Sequence, residues 1–197
     1  MRRAVIAAVL AAAGCATLSA PPPLTRAPDY AAGQIRHPAL FIRVDHGLAA
    51  SPAERESLAA RYEGSLVEAF DERGVPLSDV QRVAAGPRFE SRHALARARE
   101  VRADHAVIVE LRLERRDTVF CREGRRPFAA ATTVWAQGVQ VLRVQDGASR
   151  VAVPPGQGLD VTELEPDCAN PRQSRLRHRA EMIASAVEVV AERILGR

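Results

Sequence analysis

The stretch HAVIVELRLER, residues 105–115, decides the fold. Val107, Val109, Leu111 and Leu113 alternate with Glu110, Arg112 and Glu114. A period of two sends successive side chains to opposite faces, so the segment reads as a β-strand with one apolar face. Downstream, Phe128 to Val144 is a further strand or a bent pair, with Gly138 as the expected bulge or kink. Asp146-Gly147 then separates VQVLRV from SRVAV, a hairpin signal.

Upstream, the run Ala39-Leu40-Phe41-Ile42-Arg43-Val44 ends at Asp45 and reads as a first strand. Ser51-Pro52-Ala53-Glu54 combines a capping box with proline at the first helical position. Leu58, Tyr62, Leu66, Ala69 and Phe70 follow at helical spacing, and Gly74 supplies a stop. Val80 to Val83 reads as a short strand, and Phe89 to Arg102 as a helix with Ala94, Leu95, Ala98 and Val101 on one face. Asn170-Pro171-Arg172-Gln173 repeats the capping pattern and predicts the start of the last helix. Its stripe is Leu176, Ala180, Ile183, Ala184, Val187, Val190, Ala191 and Ile194. That stripe packs on the sheet or, alternatively, on a partner helix. The order β-α-β-α-β-β-β-α predicts one α/β (α+β) domain over 39–197. About five strands form its mixed sheet, packed by two or three helices, the last of them long and amphipathic. Some 160 residues are ample for one core.

The amino-terminal end has a different character. Arg2 and Arg3 precede an apolar run of ten residues, Ala4 to Ala13, the form of an export signal over 1–14. Ten helical residues rise about 15 Å, half of a bilayer core, and no later stretch is long enough to span one. From Cys15 to about Pro38 the chain is rich in Ala, Pro, Thr and Ser, which predicts an extended tether.

Ala12-Ala13-Gly14-Cys15 resembles the bacterial lipobox, in which small residues precede an obligatory cysteine; Ala12 stands where that family prefers Leu. The resemblance implies cleavage before Cys15, a thioether-linked diacylglycerol on it, and acylation (palmitate) of the new amino terminus. Ala16 after the cysteine implies the inner leaflet of the outer membrane, with the domain facing the periplasm. The alternative is a soluble secreted protein cut near Ala20. The element order, with VRADHAVIVELRL followed by VQVLRVQDG, resembles the envelope domain shared by LpoB-type lipoproteins, the N-terminal part of TolB and the CsgG family. Those proteins often carry Gly-Ala-Asp where Arg102-Ala103-Asp104 stands here. The resemblance implies a non-catalytic adaptor or activator whose partner is an envelope protein, such as a cell-wall synthase, or a cell-wall component. An auxiliary ligand-binding subunit of a transport system is the alternative. A CsgG-like pore is disfavoured, because the connection RRDTVFCREGRRPF is too charged for a membrane hairpin.

All 28 basic side chains other than histidine are arginine, and the net charge is +4. An alanine-rich chain without lysine points to a GC-rich genome, so the arginine count does not argue for nucleic acid, and export argues against that partner. With Cys15 assigned to lipid, Cys121 and Cys168 remain as an even pair in an oxidising compartment, expected to form a disulfide. Two free thiols are the alternative. Such a bridge brings Arg122, Arg125 and Arg126 beside Arg172, Arg175, Arg177 and Arg179. The second group would crowd the first turns of the last helix, where the macrodipole disfavours cations. Together they form a candidate anion-binding face, for phosphates, carboxylates or an acidic partner, or else a solvated surface. For catalysis the candidate is Asp45 with His46, as in a small hydrolase. No G-x-S-x-G, H-E-x-x-H or phosphate-loop motif occurs, and no cofactor or metal motif. The expectation is therefore a protein that is not an enzyme.

Overall fold

The computed structural model describes residues 25–48, 50–83, 90–123 and 126–196. Residues 1–14, expected to be an export signal, together with Cys15 and Arg125, lie outside them. The strands are β1 (Thr25–Arg26), β2 (Ala39–His46), β3 (Asp79–Val83), β4 (His105–Phe120), β5 (Phe128–Arg143), β6 (Ser149–Val153), β7 (Val161–Thr162), β8 (Leu164–Glu165) and β9 (Arg175–Leu176). The helices are α1 (Pro52–Glu72), α2 (Ser91–Glu100) and α3 (Arg179–Leu195).

The main sheet runs β1-β6-β5-β4-β2-β3, with β7 added to β5. β2 is parallel to both β3 and β4, and the remaining pairs are antiparallel. The mixed α/β domain expected from the element order is therefore present. Its five long strands are β2 to β6. The path β2-α1-β3 moves outward along the sheet, and β3-α2-β4 returns across β2. Two right-handed crossovers run in opposite directions place their helices on opposite faces. Leu40, Ile42, Val107, Val109 and Leu111 accordingly pack under α1 and α3. Ala39, Phe41, Ala106 and Ile108 pack under α2.

Each helix covers the sheet for a local reason. In α1 the Glu54 amide donates to Ser51 Oγ (3.2 Å) and the Ser51 amide to Glu54 Oε2 (2.8 Å), so both halves of the capping box are made. Its buried residues are Leu58, Tyr62, Leu66, Ala69 and Phe70. Fully burying each large apolar side chain contributes about 1.5–3 kcal/mol. α3 begins at Arg179 rather than at Asn170. The Asn170-Pro171 pattern caps only a single 3-10 turn, where Asn170 Oδ1 accepts from the Arg172 amide. The helix itself starts where Glu181 Oε2 accepts from the His178 amide at 2.9 Å. Leu176 consequently leaves the stripe and is 67% exposed, and Met182 and Ala186 join the core. Among the described residues, no helix is long and apolar enough to cross a membrane.

Of the tether expected over 15–38, residues 15–24 lie outside the described residues, and the rest is not an extended chain. Residues 25–38 are packed, because two apolar side chains inside that segment find core sites: Tyr30 and Ile35 are buried. β1 pairs with β6, and the Ala27 amide donates to the Arg150 carbonyl at 2.8 Å. The Tyr30 hydroxyl donates to the Ile194 carbonyl, and burial pushes its pKa up to about 12. Asp104 then receives the Arg36 amide (2.7 Å) and the His37 amide (3.2 Å).

Gly138 differs from expectation as well. β5 runs unbroken from Phe128 to Arg143, with Gly138 paired to Glu110, and the irregularity lies between Val141 and Leu142. A Cβ on Gly138 would stand 2.6 Å from Pro155 Cδ. The glycine is there to let the Pro155 ring lie on the sheet. Gly138→Ala is expected to destabilise by about 1–3 kcal/mol through overpacking. Gly138→Ala with Pro155→Ala recovers only part of that loss, because the residue 155 backbone nitrogen stays 2.9 Å from the added Cβ. Urea denaturation of the three variants checks it.

Candidate functional site

β4 and β5 outrun the rest of the sheet. They pair without interruption from His105↔Arg143 to Phe120↔Phe128, whereas β2 accompanies β4 only as far as Leu113. The outer half is thus a two-stranded arm, which in isolation is marginal in water. Three features hold it. β7 pairs with Val134 and Trp135, and the Leu164 amide donates to Thr132 Oγ1 at 3.1 Å. The Phe120 and Phe128 rings meet at 5.5 Å between centroids. Cys121, one residue past β4, is joined to Cys168 with a Cα–Cα separation of 5.6 Å. The expected disulfide is therefore present, and it ties the β7-to-α3 excursion to the end of the arm. Closing a loop of 47 residues stabilises by about 4 kcal/mol in the chain-entropy model.

The arginines around this bridge divide into two groups. Arg175 reaches Glu165 at 2.6 Å and Glu181 at 3.1 Å, and Arg177 lies 3.9 Å from Glu165. These two are neutralised by the chain's own carboxylates. Arg175 and Arg177 also precede α3 instead of crowding its first turns; Arg179 alone occupies the first helical position. Arg122, Arg126 and Arg172 are exposed and have no carboxylate partner among the described residues. The continuous seven-arginine face is thus reduced.

Asp45 and His46 are not brought together. As neighbours in β2 they point to opposite faces. Asp45 stands opposite Arg112, 3.8 Å from its Nε, and His46 stands opposite the buried Leu113. His46 Nδ1 lies 3.2 Å from the Leu48 carbonyl. Among the described residues no group of three His, Cys, Asp or Glu side chains is gathered to hold a metal. A groove of about 220 Å3 opens beside α2, lined by Ile108, Glu110, Gly138, Gln140, Pro154 and Pro155. That is below the roughly 300–1,000 Å3 of small-molecule sites, whereas a groove of about 500 Å3 lined by Ile42, Val44, Arg55, Glu56, Arg82 and Val83 falls within that range.

Two buried polar clusters escaped the sequence reading. Tyr62 donates to Gln137 Oε1 at 2.5 Å, and Gln137 donates to the Leu159 carbonyl at 2.9 Å, which satisfies a fully buried amide. Desolvation keeps the Tyr62 phenol neutral by raising its pKa. The second cluster lies under the amino-terminal segment. Arg150 is 5% exposed and meets Asp29 at 3.0 Å, while His105, also 5% exposed, lies 3.4 Å from Asp104. The only sequence signal for it was a charged residue inside the alternating run SRVAV.

No protein-family model matches this chain, and no curated protein matches it. Among solved structures, it is similar to the PelC dodecamer from Paraburkholderia phytofirmans. Identity there is 15% over 89% of this chain and 96% of that one, with a TM-score of 0.44. The hypothetical protein CT253 from Chlamydia trachomatis is 8% identical over 82% and 99%, with a TM-score of 0.41. Lipoprotein GNA1162 from Neisseria meningitidis is 9% identical over 82% and 99%, with a TM-score of 0.37. Likenesses this distant assign no family.

Burial holds the His105 pKa below its ordinary value, opposed by Asp104 and reinforced by Arg150 and Arg143. The unfolded chain, with an ordinary histidine near 6.5, therefore takes up this proton first as pH falls. The resulting stability is complete above about pH 6.5 and is lost on the way down to the lowered folded value. His105→Gln is expected to flatten that part of the pH–stability curve. Denaturant midpoints measured from pH 7.5 to 5 check this.

Proposed function

We propose that this chain is a lipid-anchored, non-catalytic protein of the bacterial cell envelope whose α/β domain binds another envelope component. The observation that carries the reading is Cys15, placed after small residues at the end of a ten-residue apolar run. Several acyl chains on that one residue would anchor the chain stably where a single chain is marginal. Ala16 favours the outer membrane, inner leaflet, with the domain in the periplasm. The disulfide suits the same compartment, since such bonds persist where thiols are oxidised.

The packing of residues 25–38 sharpens the proposal. Only nine residues separate Cys15 from Thr25, so the domain would stand at most about 35 Å from the lipid surface. An adaptor held that close acts on components at or near the membrane. The resemblance to LpoB-type proteins supports a cell-wall synthase or a multiprotein envelope complex as the partner.

Mass spectrometry of the protein from membranes is expected to find the amino-terminal Cys15 peptide with a diacylglycerol and an amide-linked acyl chain. Cys15→Ala is expected to release the chain into the soluble fraction. An unmodified peptide beginning near Ala20 contradicts the proposal.

A further inference from the structure

Resting on that reading, we infer that the disulfide-bound end of the β4–β5 arm faces the membrane that holds Cys15 and rests on its anionic phospholipid headgroups.

The strand directions carry the first half of the inference. β1 is antiparallel to β6, and β6 is antiparallel to β5, so β1 runs the same way as β5. Followed backwards from Thr25, the chain therefore leaves the sheet toward Phe128 and not toward Arg143. Thr25 pairs with Ala152, which stands opposite Gln140; Phe128 is twelve residues further along β5, about 40 Å at 3.3 Å per residue. The ten residues from Thr25 back to Cys15 span at most about 35 Å. On that heading the lipid attachment comes level with the outer half of the arm. Pro21-Pro22-Pro23 favour extended chain and oppose the reversal that would carry it to the other end.

The charge at the end of the arm suits a phospholipid surface. Arg122 follows Cys121, and Arg126 lies two residues before Phe128, whose ring meets Phe120. Arg172 sits beyond the disulfide in the loop 167–174, which is closed on itself. There the Asp167 amide donates to Ser174 Oγ at 3.1 Å, and Asp167 Oδ1 accepts from the Asn170 amide at 2.9 Å. The Cys121–Cys168 bridge, with Cα atoms 5.6 Å apart, holds that loop at the end of the arm. All three arginines are exposed without carboxylate partners among the described residues, and Asp117 and Glu123 are the exposed acids beside them. These arginines need not touch one another, because a headgroup layer offers phosphates across its whole plane and each cation near it contributes separately. The opposite end also exposes arginines, Arg36 and Arg99. Charge alone does not choose the end; the heading of the chain does.

The test uses the chain from residue 15 with Cys15→Ser, so that vesicle binding is read without the lipid. It is expected to sediment with vesicles of phosphatidylglycerol and phosphatidylethanolamine, less so as salt rises, and not with phosphatidylcholine. Arg122→Gln/Arg126→Gln/Arg172→Gln is expected to weaken binding about fivefold for each arginine replaced. Arg36→Gln/Arg99→Gln leaves it unchanged. Inorganic phosphate displaces the chain no better than sodium chloride of equal ionic strength. In the lipidated chain on the same vesicles, a photocrosslinker at exposed Ala129 captures phospholipid and one at exposed Gln145, near the opposite end, does not. Thermal unfolding of every variant confirms folding. No sedimentation with the anionic vesicles, equal binding to phosphatidylcholine, equal loss with Arg36→Gln/Arg99→Gln, preferential displacement by phosphate, or capture from Gln145 in place of Ala129 overturns the inference. Acylation of Cys15 is read separately on the unsubstituted chain, so failure here and failure of the anchoring proposal are distinguishable.

Discussion

The antiparallel pairing of β4 with β5 is the constraint on which the rest of this protein depends. Sixteen residues from each strand are in register without a break, and every other element attaches to that ladder or packs on it. β2 joins β4 in parallel and brings β3, α1 and α2 with it. β6 joins β5 and brings the amino-terminal segment. Along its inner half the ladder is apolar on both faces and supports two cores. Along its outer half the core ends, and the strands rely on β7, an aromatic pair and the disulfide.

That division explains where polar chemistry sits. In the inner half, polar side chains survive only with partners, as Gln137 does between Tyr62 and Leu159. Arg150 and His105 occupy the margin where the amino-terminal segment seals the sheet, and desolvation keeps the imidazole neutral. In the outer half, arginines stand in solvent and choose partners by proximity. Glu165 serves both Arg175 and Arg177 because β8 and β9 pair across it.

Local periodicity carried much of this architecture. The alternation from Val107 to Leu113 and the spacing from Leu58 to Phe70 each bury the side chains they predicted. Both signals arise within one element, where sequence distance and spatial distance agree. Readings that needed a distant neighbour fared worse. Nothing near Tyr30 or Ile35 reveals that α3 and Asp104 receive their segment, so a Pro- and Ala-rich stretch read as tether throughout. Gly138 signalled irregular backbone, although its cause is a proline seventeen residues on that lies over the strand. Asn170-Pro171-Arg172-Gln173 has the form of a helix start, but a second capping pattern at His178 and Glu181 took the helix. Of the candidate site, the cysteine pairing was legible from count and compartment. The pairing of Arg175 and Arg177 with Glu165 was not, since it requires two strands of only two residues each to meet across a nine-residue connection, which no periodicity marks.

The claim that one ladder has a core-held half and a staple-held half is tested most directly by amide hydrogen exchange before and after reduction of the disulfide. Amides of 107–111 and 137–141 are predicted to exchange slowly in both states, by global opening. Amides of 115–119 and 129–133 are predicted to be protected in the oxidised protein and to exchange much faster once Cys121 and Cys168 are reduced. Unchanged protection of the outer half after reduction, or simultaneous opening of both halves, would contradict the account.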